Sequence, residues 1–260
     1  MTSDSTGRLN ISHLKGDFYN VGIEVHHAYD VDRFDDFHIW GFGGSPYDVI
    51  AYTNSHLIGI RLYRTDSPFI DRIFIINAFK GLDLETEGDG TDFGGNTIPG
   101  GGPTKVLGGS FECDGTRYCI YNNYQASTLQ IANLNEQGAD NTKSPFTTWT
   151  DSTAIYNNLF GYQMIGSIHV QAIGGPVVYD ADANECASTS IGSLLLDGND
   201  PPVNMSGYVA GGVSCDSTGA NHHTVNLAIS PNRTMASPPS TFMPSGSAVI
   251  LSWPTSQSYQ

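Results

Sequence analysis

Positive charge is the scarcest feature of this sequence. Of its 260 residues, 11 are Lys or Arg and 26 are Asp or Glu, which gives a formal net charge of −15. Proteins that bind nucleic acids or anionic membranes neutralise phosphates with clustered basic side chains. No such cluster occurs here, and the lysines are dispersed along the chain at Lys15, Lys80, Lys105 and Lys143. The composition therefore argues against a nucleic-acid partner and against an acidic membrane surface.

Long apolar runs are also lacking. No run approaches the roughly 18 apolar residues of a membrane-spanning helix, and the first residues, MTSDSTGRLN, lack the apolar core of a signal peptide. Charged residues make up 14% of the chain, whereas aromatic residues reach 11% and glycine occurs 30 times. Many aromatic residues with little charge are typical of an ordered domain rather than a disordered chain. The surface is expected to be rich in hydroxyl and amide groups.

Short apolar runs bounded by Gly, Pro, Asn and Asp are frequent, and this pattern is typical of β-strands. We therefore predict a mainly β fold, a β-sandwich or jelly-roll-like domain with long Gly/Pro-rich loops and few short helices. No internal repeat is evident. Helices are predicted only over Ser152–Phe160 and from Ser67 onward. The predicted strands are Val21–His27, Val49–Tyr52, Leu57–Arg64, Arg72–Ala78, Arg117–Tyr121, Ser127–Ala132, Met164–Ala172, Pro176–Tyr179, Ser193–Leu196, Tyr208–Val213, Thr224–Ile229 and Ala248–Trp253.

The length fits a single β-rich domain spanning residues 1–260. The clearest loop is Gly81–Gly109, which is acidic and then rich in Gly and Pro, and a subdomain boundary near residue 100 would fall inside it. The segment 231–246 contains repeated prolines, which cannot donate hydrogen bonds within a central strand. We expect it to form an extended arm.

The four cysteines allow three disulfide pairings. The local pairs Cys113–Cys119 and Cys186–Cys215 are favoured because each brackets a Gly-containing turn. The alternative is four separate buried thiols. Structural zinc is not expected, because the paired C-x-x-C spacing is absent. Disulfides form in oxidising compartments, so the sequence predicts an extracellular location or the surface of a virion.

Two acidic clusters have the oxygen ligands that calcium prefers. Neither has the glycine and the bidentate Glu of an EF-hand loop, and the alternative is a solvated acidic turn. No cofactor is required, and calcium is the one metal that the sequence suggests. The first cluster consists of Asp180, Asp182, Asn184 and Glu185, and the second of Asp30, Asp32, Asp35 and Asp36.

A run of tyrosines and planar amides, RYCIYNNYQ, is the main candidate binding patch. Aromatic ring faces stack on sugars while amides bond to their hydroxyl groups, and tyrosine is also enriched at protein interfaces. The alternative is a strand and turn with ordinary packing. The candidate ligand-binding residues are Tyr118, Tyr121, Asn122, Asn123 and Tyr124.

The stretch Leu62–Ile73, LYRTDSPFIDRI, is similar to the first conserved stretch of cholera- and pertussis-type ADP-ribosyltransferases. In that family an Arg at a strand end contacts NAD. The resemblance implies that Arg64 is a ligand-binding residue with that role. The family's Ser-Thr-Ser strand and Glu-x-Glu turn have no counterpart, because the matching distance brings Ser167 and His169 instead.

The favoured function is an extracellular, non-catalytic binding or assembly protein whose partner is a glycan or a protein surface. One alternative is a viral coat or surface structural subunit that forms a homo-oligomer. Another is an enzyme, either ADP-ribosyltransferase-like or active on glycans, the latter with Glu24 and Glu112 as a carboxylate pair. No complete set of catalytic residues is present, which favours a protein that is not an enzyme.

Overall fold

The computed structural model describes residues 2–4, 7–40, 47–92, 94–124, 127–138, 152–159, 161–171, 177–181, 188–197, 209–211 and 222–229. Within these ranges the protein consists of β-strands and a single α-helix, α1, Tyr47–His56. The prediction of a mainly β fold is confirmed. No helix in the described part of the chain has the length and apolar character needed to span a membrane.

Two parallel sheets make up the architecture. Sheet A contains β1 (Thr2–Asp4), β3 (Val21–His26), β5 (Ile58–Leu62), β7 (Lys80–Leu84), β11 (Tyr118–Asn122), β13 (Thr153–Asn157), β15 (Val178–Asp180) and β17 (Val209–Gly211). Sheet B contains β2 (Asn10–Gly16), β4 (Arg33–Ile39), β6 (Phe69–Ile76), β10 (Val106–Asp114), β12 (Ser127–Gln137), β14 (Gly161–Gln171), β16 (Ser188–Asp197) and β18 (His222–Ile229). A small antiparallel hairpin joins β8 (Gly90–Thr91) to β9 (Thr97–Ile98).

The chain alternates between the two sheets and adds each new strand beside the previous strand of the same sheet. This winding is a two-sheeted parallel β-solenoid. The predicted β-sandwich or jelly roll is wrong in its topology, because those architectures are antiparallel. The apolar pattern that identifies a strand does not specify the direction of its neighbour, so the sequence could not separate the two arrangements.

An internal repeat does exist, although the sequence analysis did not detect it. In sheet B, two solvent-facing residues are flanked by buried apolar residues: Ile131-Ala-Asn-Leu134, Ile165-Gly-Ser-Ile168 and Ile191-Gly-Ser-Leu194 occupy equivalent positions. The first residues of the sheet B strands are 10, 33, 69, 106, 127, 161, 188 and 222, so the coils differ in length. Unequal connections between the strands hide the repeat from a search for a fixed period.

Turns between the sheets recur in the same conformation. Arg8, Ser67 and Lys105 all have positive φ, at 60°, 53° and 51°, just before strands of sheet B. Asn77 and Gly115 have φ values of 55° and 58°, and each follows a sheet B strand. Several residue types can adopt the left-handed region at some cost in energy. The turn conformation therefore repeats although the residues at these positions differ.

The core lies between the two sheets. Ile23, Ile60 and Leu82 are paired in register along sheet A and are each at most 1% exposed, and the row continues through Ile120 and Ile155. A Cβ atom added to Gly59 would lie only 2.4 Å from Cδ1 of Ile75 in sheet B, so this glycine permits close approach of the sheets. Each fully buried aliphatic side chain in such a row contributes about 1.5–3 kcal/mol.

Helix α1 connects β4 to β5, and it contains Val49–Tyr52, which the sequence analysis predicted as a strand. The apolar run in this segment is too short to distinguish the two structures. Thr53 is buried and its hydroxyl donates to the carbonyl of Ile50 at 3.0 Å. Asn54 is also buried, with its amide beside the carbonyls of Asn77 and Gly115, so the helix is attached to the turns of the neighbouring coils.

Both helix predictions are wrong. Ser152–Phe160 contains β13, where Thr153 pairs with Tyr118, and Ser67 lies in the turn before β6. Tertiary pairing overrides weak local preference in both places. The predicted loop Gly81–Gly109 contains most of β7, the small hairpin and the start of β10. Both sheets continue across residue 100, since β7 pairs with β11 and β6 with β10.

Candidate functional site

The predicted disulfide Cys113–Cys119 is present, with an S–S distance of 2.02 Å. It joins the end of β10 in sheet B to β11 in sheet A, and so connects the two sheets within one coil. Cys186 and Cys215 lie outside the described residues.

The first predicted calcium cluster falls mostly outside the described residues. The backbone of Asp180 ends β15, whereas Asp182, Asn184 and Glu185 are not among the described residues. In the second cluster each carboxylate contacts a different partner. The pairs are Asp30 with Arg8, Asp35 with Arg72, Asp36 with His13, and Asp32 with the backbone N–H of Leu9.

The predicted tyrosine and asparagine patch is divided between the interior and the surface. Tyr118 is 8% exposed and Asn122 is fully buried, whereas Tyr121, Asn123 and Tyr124 are half-buried. The ring of Tyr121 is already engaged by its neighbours, because the ring of Tyr156 stacks on it with a centroid distance of 5.1 Å and the Lys80 ammonium lies 3.5 Å from its centroid. These contacts leave little ring surface for a sugar.

Arg64 and Tyr124 both lie close to Gly101, which is in the segment 85–105 between β7 and β10. A Cβ atom added to Gly101 would lie 3.7 Å from Nη1 of Arg64 and 3.8 Å from the hydroxyl of Tyr124. Arg64 also forms an ion pair with Asp66 at 3.1 Å, and its guanidinium lies 5.5 Å from the ring centroid of Tyr29. The structure therefore brings together two predicted ligand-binding residues, with the arginine already engaged by a carboxylate.

A row of charged and aromatic side chains follows sheet A, and we call it the sheet A ladder. Its members are adjacent in register, and the tyrosine rings stack at centroid distances of 5.1 Å. The ladder consists of Glu24, Arg61, Asp83, Tyr121, Tyr156 and Tyr179.

Opposite charges within and beside the ladder neutralise one another. The side chain of Asp83 is 0% exposed and accepts hydrogen bonds from Lys80 at 2.7 Å and Arg61 at 3.1 Å. Burial raises the pKa of Asp83 to about 6, although Lys80 opposes this shift. Burial also opposes ionisation of Glu24, but hydrogen bonds from His26 and Arg61 lower its pKa overall. These pairings are typical of a structural network rather than of groups aimed at a ligand.

The suggested carboxylate pair Glu24 and Glu112 is not brought together. Glu24 lies in sheet A, in contact with His26 at 2.9 Å, whereas Glu112 lies in sheet B and accepts a hydrogen bond from Asn135 at 3.0 Å. A glycosidase needs its two carboxyl groups on either side of one glycosidic bond, and residues of different sheets do not provide that arrangement.

An open groove runs along the outer face of sheet B, and we call it the sheet B groove. It crosses β6, β10, β12, β14 and β16 and has a volume of about 540 Å³. With neighbouring strands about 4.8 Å apart, five strands span about 19 Å along the solenoid. Its lining includes Phe69, Leu107, Gln130, Ala132, Met164, Gly166 and Gly192.

The two walls of the groove have different chemistry. One wall is the register row Phe69, Leu107, Gln130 and Met164, which is largely apolar and exposed. The other is the register row Ser110, Asn133, Ser167 and Ser193, which lies beside the lining residues Ala132, Gly166 and Gly192 and presents hydroxyl and amide groups. Within it the Ser167 hydroxyl donates to Oδ1 of Asn133 at 2.8 Å.

The floor of the groove consists of small residues because backbone atoms of the neighbouring strands come too close for larger side chains. A Cβ atom at Gly166 would lie 2.5 Å from the carbonyl oxygen of Ala132, and one at Gly192 would lie 2.5 Å from that of Gly166. The strands also depart from strict alternation here, since Ala132 and Asn133 are both exposed between the buried Ile131 and Leu134. Two consecutive side chains therefore face solvent, while the register between β12 and β14 continues unbroken from Ile131 to Leu134.

Within the described part of the chain, charged side chains lie on the outer face of sheet B over β2, β4 and β6 but not over β12 and β14. On β2, β4 and β6 the rows that continue the floor and the polar wall are Ser12, His13, Asp35, Asp36, Asp71 and Arg72, of which only Ser12 has no ionisable side chain. On β12 and β14 the described outward side chains include no Asp, Glu, Lys or Arg. In a chain with a net charge of −15, this neutral face is distinctive.

The sequence analysis missed the groove, although a signal for it exists. The pairs Ala132-Asn133, Gly166-Ser167 and Gly192-Ser193 each follow a buried isoleucine, and this repeat would have identified them as equivalent positions on one face. Comparison with protein-family models, curated proteins and solved structures gives no match.

Proposed function

We propose that this protein is a non-catalytic binding protein that holds a linear, neutral glycan in the sheet B groove. The observation that carries the proposal is the lack of charged side chains along the described groove over β12 and β14, between one apolar and one hydrogen-bonding wall. The location of the binding surface thus differs from the tyrosine patch suggested by the sequence.

The chemistry of a sugar ring matches these walls. A pyranose has apolar C–H faces, which suit Phe69, Leu107 and Met164, and hydroxyl edges, which suit the amide of Asn133 and the serines beside it. Binding sites usually combine an apolar lining with a few polar groups that fix orientation. The open length of the groove favours several units of a chain over a single sugar. The acidic surface around the groove favours a neutral chain over an anionic one.

The test is isothermal titration calorimetry against a panel of neutral oligosaccharides with an Ala132→Arg variant. Ala132 is an exposed residue of the floor, so the long side chain fills the groove without disturbing the core, and we expect at least a tenfold loss of affinity, about 1.4 kcal/mol. Ser12→Arg is the matched control, because it makes the same charge change at an exposed position of β2. Equal binding by the two variants would refute the proposed location.

A second candidate function is assembly as a structural subunit of a coat or surface layer. Phe69, Leu107, Met164 and Leu195 are 39%, 38%, 56% and 38% exposed on the outer face of sheet B. Exposed apolar groups that cluster on one face are typical of interaction surfaces. If this face joins copies of the chain, light scattering after size exclusion should show an oligomer that Met164→Glu dissociates. A monomer at high concentration would contradict assembly.

We further propose an extracellular location, which the Cys113–Cys119 disulfide supports because such bonds persist in oxidising compartments. Calcium at Asp180, Asp182, Asn184 and Glu185 is a separate proposal, which fails if calcium and EDTA leave the thermal unfolding midpoint equal. The ADP-ribosyltransferase-like alternative rests on Arg64. Cleavage of NAD that is lost in Arg64→Lys would support it, and a complete lack of cleavage would eliminate it.

A further inference from the structure

The disulfide is accompanied by a buried carboxyl group. Both sulfur atoms and a carboxylate oxygen of Glu136 lie within 4.8 Å of one another. Cys113, Cys119 and Glu136 are each 0% exposed. Cys113 and Glu136 are register partners on β10 and β12, and Glu136 is followed in register by the fully buried Val170. The carboxyl group therefore points into the core beside the two sulfur atoms.

Nothing in the described structure satisfies this carboxyl group. Neither oxygen of Glu136 has a hydrogen-bond partner among the described residues, although both are buried. Buried polar side chains nearly always have a partner, and exceptions call for an explanation such as an ion or a chemical role. Asp114, next to Cys113, also has a buried carboxylate oxygen without a partner among the described residues.

We propose that reduction of the Cys113–Cys119 disulfide turns this cluster into a buried site for a thiophilic divalent metal ion, held by both sulfur atoms and the Glu136 carboxylate. Two thiolates and a carboxylate form a ligand set suited to zinc. The proposal is independent of glycan binding, because the site lies between the sheets and the groove lies on the outside of sheet B.

The chemistry balances with a thiol reductant. Two molecules of an external thiol reduce the disulfide to two cysteine thiols and form one external disulfide. The metal ion then displaces the two thiol protons and the Glu136 proton, which leaves the metal with its three ligands at a net charge of −1. A fourth position remains for water.

Metal–ligand distances are compatible with the backbone. Zinc–sulfur bonds of about 2.3 Å place two sulfur ligands roughly 3.8 Å apart in tetrahedral geometry. The Cα atoms of Cys113 and Cys119 are 5.6 Å apart, so rotation of the two side chains can provide this separation. The intervening turn contains Gly115, whose φ of 58° costs a glycine little.

The experiment uses the full chain with Cys186→Ser and Cys215→Ser, so that only Cys113 and Cys119 provide thiols. After reduction with a phosphine and removal of oxygen, Co²⁺ is added as the probe. We expect one Co²⁺ per chain, with thiolate-to-cobalt charge-transfer absorption in the near ultraviolet, and neither signal in the oxidised protein. Glu136→Gln should weaken Co²⁺ binding at least about tenfold, and further substitution of Cys113 and Cys119 by serine should abolish it.

Glu112→Gln is the matched control, because it removes a carboxylate from β10, next to Cys113, that accepts a hydrogen bond from Asn135 instead of facing the sulfur atoms. Its Co²⁺ affinity should be unchanged. Equal Co²⁺ affinity of Glu136→Gln and the parent would overturn the proposal. Reduction could unfold the chain. In that case Co²⁺ should restore the β-sheet circular dichroism of the parent but not that of Glu136→Gln, and failure to restore it in the parent would also overturn the proposal.

Discussion

Replacing Glu136 with glutamine should reveal a pH dependence of stability that comes from the core. Burial, with a smaller effect from Asp114, raises the pKa of Glu136 well above its usual value. In the unfolded chain this carboxyl group has a pKa of about 4.3. Between these two pKa values the unfolded state has lost the proton and the folded state has kept it.

The sign and size follow from proton linkage. Because the unfolded state binds fewer protons in this interval, the free energy of unfolding falls as pH rises, by at most about 1.4 kcal/mol per pH unit for one group. The stabilising contribution is complete below the unfolded pKa and is lost as pH rises toward the folded pKa. Asp114, whose pKa burial and Glu112 raise to about 6, acts in the same direction. The Glu136→Gln variant loses only the contribution of Glu136 to the pH dependence of the free energy of unfolding.

The assay is urea denaturation of the oxidised protein at pH 5, 6 and 7, monitored by far-ultraviolet circular dichroism. We expect Glu136→Gln to gain stability relative to the parent as pH rises from 5 to 7, by at most about 1.4 kcal/mol per pH unit. Glu112→Gln, which alters a half-buried carboxylate on the outward face of β10, serves as the control, and its trend should be much smaller because Glu112 acts only through its charge beside Asp114. A difference between Glu136→Gln and the parent that is the same at all three pH values would refute the reasoning.

Three further predictions concern stability and are checked by the same denaturation measurement at pH 7. Replacing Cys113 and Cys119 with alanine should cost about 2 kcal/mol, because the disulfide closes a short loop with a sequence separation of 6, and a loss near zero would contradict this. Asp83→Asn should cost about 3 kcal/mol, because it leaves Lys80 and Arg61 without their buried carboxylate, whereas Asp35→Asn at an exposed ion pair should change little. Gly166→Ala should cost about 1–3 kcal/mol despite its exposure, because the added Cβ atom would meet the carbonyl oxygen of Ala132, and an unchanged midpoint would show that the strands separate easily.

The sequence was most informative where strands are apolar on the inner side. Val21–His27, Leu57–Arg64 and Arg72–Ala78 were predicted as strands and overlap β3, β5 and β6. By contrast β4, RFDDFHI, was missed because its consecutive aspartates interrupt the alternation that identifies a strand. In the structure Asp35 and Asp36 both lie on the outer side between the buried Phe34 and Phe37, and Asp36 has a positive φ of 58°.

The architecture required information that local patterns do not contain. A parallel solenoid places residues of successive coils side by side, so Glu24, Arg61 and Asp83 become neighbours although they are distant in sequence. The repeat that encodes this, Gly22-Ile-Glu, Gly59-Ile-Arg and Gly81-Leu-Asp, is short and unevenly spaced. Aligning such tripeptides would have identified the coils.

Candidate sites depended on this architecture even more strongly. The disulfide Cys113–Cys119 was predictable, because a Gly-containing turn between nearby cysteines brings them together. The position of Glu136 beside it was not, since it follows from the register of β10 and β12. Tyr121 was predicted to bind a ligand, and only the register of the neighbouring strands shows that Lys80 and Tyr156 contact its ring.

The central claim is that a neutral glycan binds in the sheet B groove, and methyl NMR of methionine tests it most directly. The chain contains 5 methionines, of which Met164 lines the groove and is 56% exposed. Its ¹³C-methyl resonance can be assigned with Met164→Leu. On titration with a neutral oligosaccharide that binds by calorimetry, we predict a saturable shift of the Met164 resonance with the same dissociation constant. Binding that leaves the Met164 resonance unchanged would contradict the proposed site, and a lack of binding across the neutral panel would contradict the proposed function.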